Sequence, residues 1–262
     1  MGRMKVKAAK REQIRQFFRV LYQRWGRQHW WPAETSFEVI VGAYLTQNTA
    51  WTNVEKALAQ LRCAGVLSVE GIRSVEIGEL ERLIRSAGYF RQKAARLKQF
   101  VSFLDERYGG SLERMFSSST EQLRRELLAL DGVGPETADS ILLYAGQHPI
   151  FVVDAYTRRI LERHGLAKPS AKYDDVRVLV EAALTDAPLP EVTEIDPAAP
   201  PGGSCHAPSA MSTTARCSQA QVFNEMHGLI VGVGKNFCLK SKPKCDECPL
   251  GPLLPPGRRL KQ

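Results

Sequence analysis

The sequence has no long apolar run and no stretch in which apolar and polar residues alternate as they do along a β-strand. A membrane-spanning helix needs about 18 to 20 consecutive apolar residues, so we expect no membrane span. Residues 1–12 are basic and no apolar segment follows them, which argues against a secretion signal and favours the cytoplasm. The missing alternation argues against a β-sheet fold.

Cysteine is scarce and unevenly placed. The chain has six cysteines, and Cys238, Cys245 and Cys248 lie within one short stretch near the C-terminus. A disulfide scaffold is typical of much smaller secreted domains. The crowding of three thiols instead indicates a metal site.

Acidic residues are fewer than basic ones. The chain has 36 Lys and Arg against 28 Asp and Glu, which gives a net charge of +8. This excess favours a polyanionic partner, either nucleic acid or an anionic membrane surface. The basic residues are scattered over several helical stretches instead of forming one basic amphipathic helix, so the membrane surface is the weaker interpretation.

Apolar residues recur at steps of three and four, which predicts amphipathic helices. A length of 262 residues allows one large domain or two modest ones, at roughly 150 residues per domain. We therefore expect an all-α protein. The apolar stripes lie at 14–25, 37–45, 54–61, 94–104, 123–128, 138–145, 156–161, 176–184 and 222–230.

One segment interrupts the helical pattern. Residues 186–218 hold six of the fifteen prolines and no aromatic residue. Such a stretch cannot bury enough apolar surface to offset the entropy lost on ordering. We predict a flexible insertion there.

Residues 127–143 have the pattern of two helices joined by a tight turn. Gly132 and Gly134 permit a close turn, and Pro135 suits the first position of the second helix. Backbone amides at such a turn can hold a phosphate oxygen. A hairpin that only packs two helices together would have the same local pattern.

Several motifs follow one another along the chain: Leu45-Thr-Gln-Asn-Thr49, Gly88-Tyr-Phe-Arg-Gln-Lys-Ala94, Leu130-Asp-Gly-Val-Gly134, Val152-Val-Asp154 and the cysteine cluster. With these motifs the chain resembles the helix-hairpin-helix DNA glycosylases of the endonuclease III type. The resemblance implies a monomer that acts on double-stranded DNA containing a damaged base. It also implies two helical domains with the active-site cleft between them. A six-helix barrel with the hairpin would span 34–135, and residues 1–33 would join 136–262, with the cysteine loop at 238–254, in the other domain.

In this family an aspartate that matches Asp154 is the shared catalytic residue. Cleavage of an N-glycosidic bond builds positive charge on the deoxyribose, and a fixed carboxylate can stabilise that charge or orient a water molecule. The alternative is that Asp154 only caps the helix that begins at Ala155, because aspartate is a preferred N-cap residue.

Glu136 is a second catalytic candidate. It matches the hairpin lysine with which the bifunctional members of the family form an imine to the sugar. A carboxylate cannot form an imine, so strand cutting is not expected. Glu136 could also serve only as a favourable acidic residue in the first turn of its helix.

A smaller branch of the family, the type III 3-methyladenine DNA glycosylases, is more similar still. The shared residues are Trp30-Trp31-Pro32, Phe37-Glu38, Trp51 just after Gln47-Asn-Thr49, and Glu136. The resemblance implies that Trp51 and Pro32 stack on the flipped base, with Trp31 in the same pocket. An aromatic face attracts the positive charge of a methylated purine. The alternative interpretation is that the tryptophans pack in the hydrophobic core and do not contact a base.

Gln47 matches the wedge side chain of the family, which fills the gap left in the DNA by the extruded base. The alternative interpretation is that Gln47 is only a solvated polar residue at the end of a helix. The same resemblance implies that the amides of Gly132 and Gly134 bind the DNA backbone.

The cysteine spacing reproduces the first three ligands of the 4Fe-4S cluster of endonuclease III, and Leu254 stands where the fourth cysteine would be. Thiolates suit an iron-sulfur cluster or zinc, but leucine cannot bind metal. Three interpretations stay open: a cluster with another fourth ligand, a zinc or labile cluster site, and a loop without metal. The loop lysines Lys240, Lys242 and Lys244 are candidate phosphate contacts.

The expected function is a monofunctional DNA glycosylase that flips and excises a damaged base. N-alkylpurines such as 3-methyladenine are the first substrate class, mispaired uracil or thymine the second, and oxidised pyrimidines with strand cutting the third. A DNA-binding module without catalysis is the competing class, which Asp154 and the aromatic residues argue against.

Overall fold

The computed structural model describes residues 2–190 and 206–257. Over these residues the chain forms helices and no strand, which confirms the all-α prediction. None of these helices combines the length and apolarity needed to cross a bilayer. In chain order the helices are α1 (Gly2–Trp25), α2 (Ser36–Leu45), α3 (Trp51–Cys63), α4 (Val69–Ser74), α5 (Ile77–Leu83), α6 (Phe90–Tyr108), α7 (Leu112–Phe116), α8 (Thr120–Leu128), α9 (Pro135–Ser140), α10 (Ala155–Arg163), α11 (Tyr173–Leu184), α12 (Ala210–Thr213) and α13 (Ser218–Asn236).

The chain divides into two compact units. The central unit is Ala33–His148, and the terminal unit joins the described parts of Met1–Pro32 and Pro149–Gln262. The family resemblance implies a boundary at 135, between the hairpin turn and its second helix. The central unit continues to His148 because α9 and the π-helical turn after it, Ile141–Ala145, pack against α2 and α8.

Helix α2 is the buried centre of the central unit. Every residue from Phe37 to Leu45 is buried, and α3, α6 and α9 pack around the helix. A helix that is apolar on nearly all sides is expected to be enclosed by others. Thr35 caps its N-terminus, where the threonine hydroxyl accepts a hydrogen bond from the Glu38 amide at 3.1 Å.

A buried ion pair joins the two hairpin helices, α8 and α9. Arg124 Nε lies 2.7 Å from Asp139 Oδ1, and Arg124 Nη2 lies 3.2 Å from Asp139 Oδ2. The Asp139 side chain is fully buried. A guanidinium that binds both oxygens of a carboxylate fixes orientation as well as distance. The pair therefore constrains how the two helices meet.

Helix α13 is the buried centre of the terminal unit. It is buried from Ala220 to Gly234, and α1, α10 and α11 pack against it. Its buried Glu225 accepts hydrogen bonds from Gln28 N at 2.8 Å and Gln221 Nε2 at 2.6 Å. The bond to Gln28 attaches residues 26–32, which follow α1, to α13.

The insertion predicted at 186–218 lies partly outside the described residues, which omit 191–205. The described end of this segment contains helix α12. Ser209 caps it, because its hydroxyl accepts a hydrogen bond from Ser212 N at 3.3 Å. This end of the segment is therefore locally ordered around a short helix.

The buried ion pair of the hairpin gives a stability prediction. Asp139→Asn leaves the Arg124 guanidinium facing a neutral amide, and breaking a buried pair commonly costs about 3 to 5 kcal/mol. We expect the free energy of unfolding to fall by about 3 kcal/mol in urea denaturation.

Asp105→Asn is the matched control. Arg73 also contacts both oxygens of Asp105, at 2.9 Å and 2.6 Å, but this pair is exposed. Exposed pairs contribute about 1 kcal/mol or less. Equal losses in the free energy of unfolding for the two variants would show that burial does not make the Arg124–Asp139 pair more important for stability.

Candidate active site

Asp154 uses one carboxylate oxygen to start helix α10. Its Oδ1 accepts hydrogen bonds from the amide and the hydroxyl of Thr157, at 2.7 Å and 2.8 Å. Its Oδ2 makes no hydrogen bond with the described residues. Asp154 thus caps the helix with Oδ1, as one interpretation of the sequence predicts. Oδ2 takes no part in the cap and is available for chemistry.

His227 lies beside the second oxygen of Asp154 and is connected to a group of aromatic side chains of the terminal unit. His227 Nε2 lies 3.7 Å from Asp154 Oδ2, and both side chains are largely buried. Burial lowers the pKa of His227, while the Asp154 carboxylate opposes that shift. The ring contacts join Trp30, Trp31, Phe151, His206 and His227, which we call the aromatic cluster.

The three residues predicted to line the base pocket fall in both units. Trp31 is buried in the terminal unit and contacts Trp30 with a ring separation of 5.8 Å. Pro32 follows it and is partly exposed. Trp51 is the first residue of α3 in the central unit and is also partly exposed. Of the three, Trp31 is therefore the one connected to the aromatic cluster beside Asp154, and the pocket role of all three stays a prediction.

The side chain of Gln47 is partly buried and hydrogen-bonded within the central unit. Its Nε2 donates to Gly132 O at 3.0 Å and to Thr137 Oγ1 at 2.9 Å. Its Oε1 accepts from Arg96 Nη1 at 3.0 Å. The amide thus connects the segment after α2 to the hairpin and is not a solvated helix end. To enter a base stack as a wedge, Gln47 would have to exchange these three bonds for contacts with DNA.

The two hairpin glycines differ in what the protein requires of them. Gly132 has φ +72°, a left-handed conformation that favours glycine. Gly134 has an ordinary φ of −89°, and within the described part of the chain no heavy atom outside its chain neighbours lies within 4 Å of the position of an added Cβ. The protein's own packing therefore does not require glycine at 134, and the open space in front of α9 leaves room for a phosphate. Glu136 is exposed at the second position of α9.

Lys93 is a buried lysine of the motif that begins helix α6. Its ammonium donates to Leu45 O at 2.9 Å and to Ala87 O at 2.8 Å. Burial, and then the charge of Arg96, lower the pKa of Lys93 to about 8. A lysine with this pKa could act as a nucleophile if it were accessible. Here the side chain is only 1% exposed and holds the end of α2 in place.

The three clustered cysteines lie near one another at the end of the terminal unit. Burial raises the pKa of Cys248 to about 11, and the neighbouring thiols of Cys238 and Cys245 add to this shift. Arg163 Nη1 lies 3.1 Å from Cys238 Sγ, and Arg159 Nε donates to Cys238 O at 2.6 Å.

These thiols do not form a complete metal site. Among the described residues no group of His, Cys, Asp and Glu side chains is arranged to hold a metal ion. Leu254, at the position of the expected fourth ligand, has no donor atom. The donor set therefore does not fit a cluster held by four thiolates, and we derive no chemistry from a metal.

The lysines of the cysteine loop are exposed. Lys240, Lys242 and Lys244 all face solvent, and the loop backbone is fixed beneath them. Lys244 N donates to Phe237 O at 2.8 Å, and Arg163 Nη2 donates to Lys240 O at 3.2 Å. Their ammonium groups are thus accessible to phosphate, and that role stays a prediction.

Sequence reasoning did not single out His227, Arg96 or Thr137. His227 lies on α13, outside every motif and 73 residues after Asp154 in the chain, and its position beside Asp154 depends on the packing of α10 against α13. The nearest sequence signal was Trp30, which precedes the predicted pocket residues and contacts His227 with a ring separation of 5.9 Å.

Comparisons with known proteins place the chain among DNA repair glycosylases. Residues 41–184 match the family described as HhH-GPD superfamily base excision DNA repair protein. A protein of Methanocaldococcus jannaschii named as a DNA repair glycosylase is 39% identical over 246 residues, which cover 94% of this chain and 97% of that protein. Endonuclease III of Thermotoga maritima is 27% identical over 236 residues, covering 90% of this chain and 89% of its own length. The structure of H. pylori 3-methyladenine DNA glycosylase bound to 1,N6-ethenoadenine matches with a TM-score of 0.67 and 26% identity, covering 86% of this chain and 97% of that chain.

The cap formed by Asp154 gives a prediction that separates structure from chemistry. Asp154→Ala removes both bonds from Thr157, so the free energy of unfolding should fall by about 1 kcal/mol, the usual cost of losing an N-cap. Asp154→Asn keeps an oxygen acceptor, and asparagine is about as good an N-cap as aspartate, so its stability should stay within about 0.5 kcal/mol of wild type. Urea denaturation followed by circular dichroism measures both values. A loss for Asp154→Asn as large as that for Asp154→Ala would contradict the cap geometry.

Proposed function

The chain belongs to the HhH-GPD superfamily of base excision DNA repair proteins, and within this family of DNA glycosylases we propose that it is a monofunctional enzyme that excises N-alkylated purines. The product is an abasic site in double-stranded DNA. We propose that it acts as a monomer in the cytoplasm, on the chromosome.

The observation that carries this proposal is the divided use of the Asp154 carboxylate. Oδ1 is fixed by two hydrogen bonds from Thr157, while Oδ2 has none among the described residues. A carboxylate that is already fixed does not have to reorganise as positive charge develops on the deoxyribose. Oδ2 is the atom that would face this charge or accept a proton from the attacking water.

The aromatic residues favour a cationic base. In the proposal, Pro32 and Trp51 stack on the flipped base, with Trp31 at the same site. Alkylation at a purine ring nitrogen leaves the base positively charged, which an aromatic face attracts. Such a base is already a good leaving group, so the enzyme needs little acid catalysis. The name of the H. pylori relative, a 3-methyladenine DNA glycosylase, supports this substrate class.

The residues at the hairpin argue against strand cutting. Glu136 stands where the lyases of the family have their lysine, and a carboxylate cannot form an imine. Lys93, whose pKa is lowered to about 8, is buried with its ammonium bound to two carbonyl oxygens. It cannot reach a sugar without unfolding the end of α2. The similarity to endonuclease III of Thermotoga maritima keeps a glycosylase with lyase activity as the second candidate.

We propose that the hairpin and the cysteine loop bind the DNA backbone. The open space at Gly134 lets the backbone amides of the turn approach a phosphate. The exposed Lys240, Lys242 and Lys244 add positive charge that is independent of base sequence. Glu136, as the exposed acid of α9, would lie beside the bound strand.

A panel of lesions tests the substrate class and the absence of lyase activity together. Duplexes would carry 3-methyladenine, 1,N6-ethenoadenine, uracil or thymine opposite guanine, or an oxidised pyrimidine. We expect fastest excision of an N-alkylpurine, breakage of the strand only after alkali, and no covalent complex trapped by borohydride. Each reaction is followed on a denaturing gel with and without alkali.

The other outcomes of this panel are distinct. Faster removal of uracil or thymine would show that the alkylpurine substrate class is wrong, while the proposed glycosylase activity would be retained. A trapped complex, or cutting without alkali, would support the lyase. If the protein excises none of these bases, the remaining interpretation is a DNA-binding module without catalysis.

A pair of variants tests the division between catalysis and binding. Asp154→Asn removes the charge but keeps the cap, so the excision rate should fall by about a hundredfold or more while the dissociation constant for DNA stays unchanged. Gly134→Val should have the opposite profile, with weaker binding to damaged and undamaged DNA alike, because the side chain blocks the phosphate.

Gly78→Val is the control for the second variant. Gly78 lies in α5 of the same unit and also has open space around its Cβ position. Binding that falls equally in both valine variants would remove the hairpin from the interface. Wild-type excision by Asp154→Asn would remove Asp154 from the mechanism.

A further inference from the structure

We propose that His227 is a positioning residue for the glycosylase reaction, which holds Oδ2 of Asp154 through its imidazole. This inference rests on the proposed function, since it gives Asp154 the catalytic role argued above. His227 does not touch the reacting bond in this scheme. It acts through the carboxylate that does.

The geometry that points to His227 is its separation from the second oxygen of Asp154. Oδ1 is held by two donors from Thr157, but a carboxylate held at one oxygen can still pivot about that oxygen. His227 Nε2 is 3.7 Å from Oδ2, about half an ångström beyond the usual hydrogen-bond range. Catalytic hydrogen bonds are often long in the absence of substrate and shorten when it binds.

The surroundings of His227 fix its ring. The imidazole contacts Trp30 and Phe151, with ring separations of 5.9 Å and 6.1 Å. It belongs to the continuously buried part of α13, and its side chain is 5% exposed. A ring held in this way can approach Asp154 only by a small shift, which suits a positioning role.

The charge state of His227 also suits this role. A neutral imidazole has one N–H donor, which can bind Oδ2 without cancelling its negative charge. Burial favours the neutral form and lowers the pKa of His227. An imidazolium at the same place would form an ion pair with Asp154 and weaken the field that the carboxylate applies to the sugar.

The experiment compares His227→Gln with His227→Asn. Glutamine can place its amide nitrogen close to the position of Nε2, whereas asparagine is too short to reach Oδ2. We expect His227→Asn to slow single-turnover excision of 3-methyladenine about ten- to a hundredfold, the range for a lost hydrogen bond to a charged group. His227→Gln should recover most of that rate. The dissociation constant for lesion DNA should stay within about twofold of wild type in both variants, because Asp154 is not assigned to DNA binding.

His164 provides the matched control. It is buried at the other end of α10, where its ring packs on Phe17 at 4.6 Å and its Nδ1 lies 3.3 Å from Leu253 O. His164→Gln and His164→Asn should lower the melting temperature as the His227 variants do, without slowing excision. A merely structural His227 would affect excision only in proportion to the loss of stability.

Each result decides the inference. Equal excision by His227→Asn and wild type would overturn it, and so would a His227→Gln enzyme as slow as His227→Asn. If wild type excises a base other than an alkylpurine, the same variants are measured on that base, so the test of His227 does not depend on the substrate assignment. If wild type excises no base, the proposed function fails first.

Discussion

The two oxygens of Asp154 are the constraint on which the candidate site depends. One oxygen, Oδ1, starts helix α10 by accepting two bonds from Thr157, which holds that oxygen at the first turn of the helix. The second oxygen is left beside His227 and the aromatic cluster. A helix cap and a catalytic carboxylate are therefore compatible in one residue, because each uses a different oxygen.

Each unit holds its own candidate residues in place with one buried helix. In the terminal unit α13 carries His227 and binds Gln28 through Glu225, so Trp30 packs against the helix that carries the histidine. In the central unit α2 ends at Leu45, whose carbonyl is bound by the buried Lys93. Gln47 then connects this end to the hairpin. Substitutions in either buried helix are expected to act on the site through these attachments.

The cysteine loop has the spacing of three metal ligands but no complete ligand set among the described residues. Three thiols remain together, but Leu254 offers no donor, and the described residues provide no group suited to a metal. The loop is instead fastened to α10, since Arg159 and Arg163 bind the backbone and sulfur of Cys238. These bonds hold the exposed lysines in place, so a role in DNA binding does not require a metal.

Local patterns in the sequence determined the helices and the family, and they single out Asp154 as the catalytic candidate, because helical periodicity and short motifs are properties of neighbouring residues. The family resemblance implies a unit boundary at 135, whereas the packing of α9 on α2 places residues up to His148 in the central unit of the structure. Local patterns also could not reveal that Gln47 is bound by Arg96 and the hairpin, or that His227 lies beside Asp154. These contacts join residues that are far apart in the chain. Only the packing of whole helices against one another decides them, and no local periodicity encodes that packing.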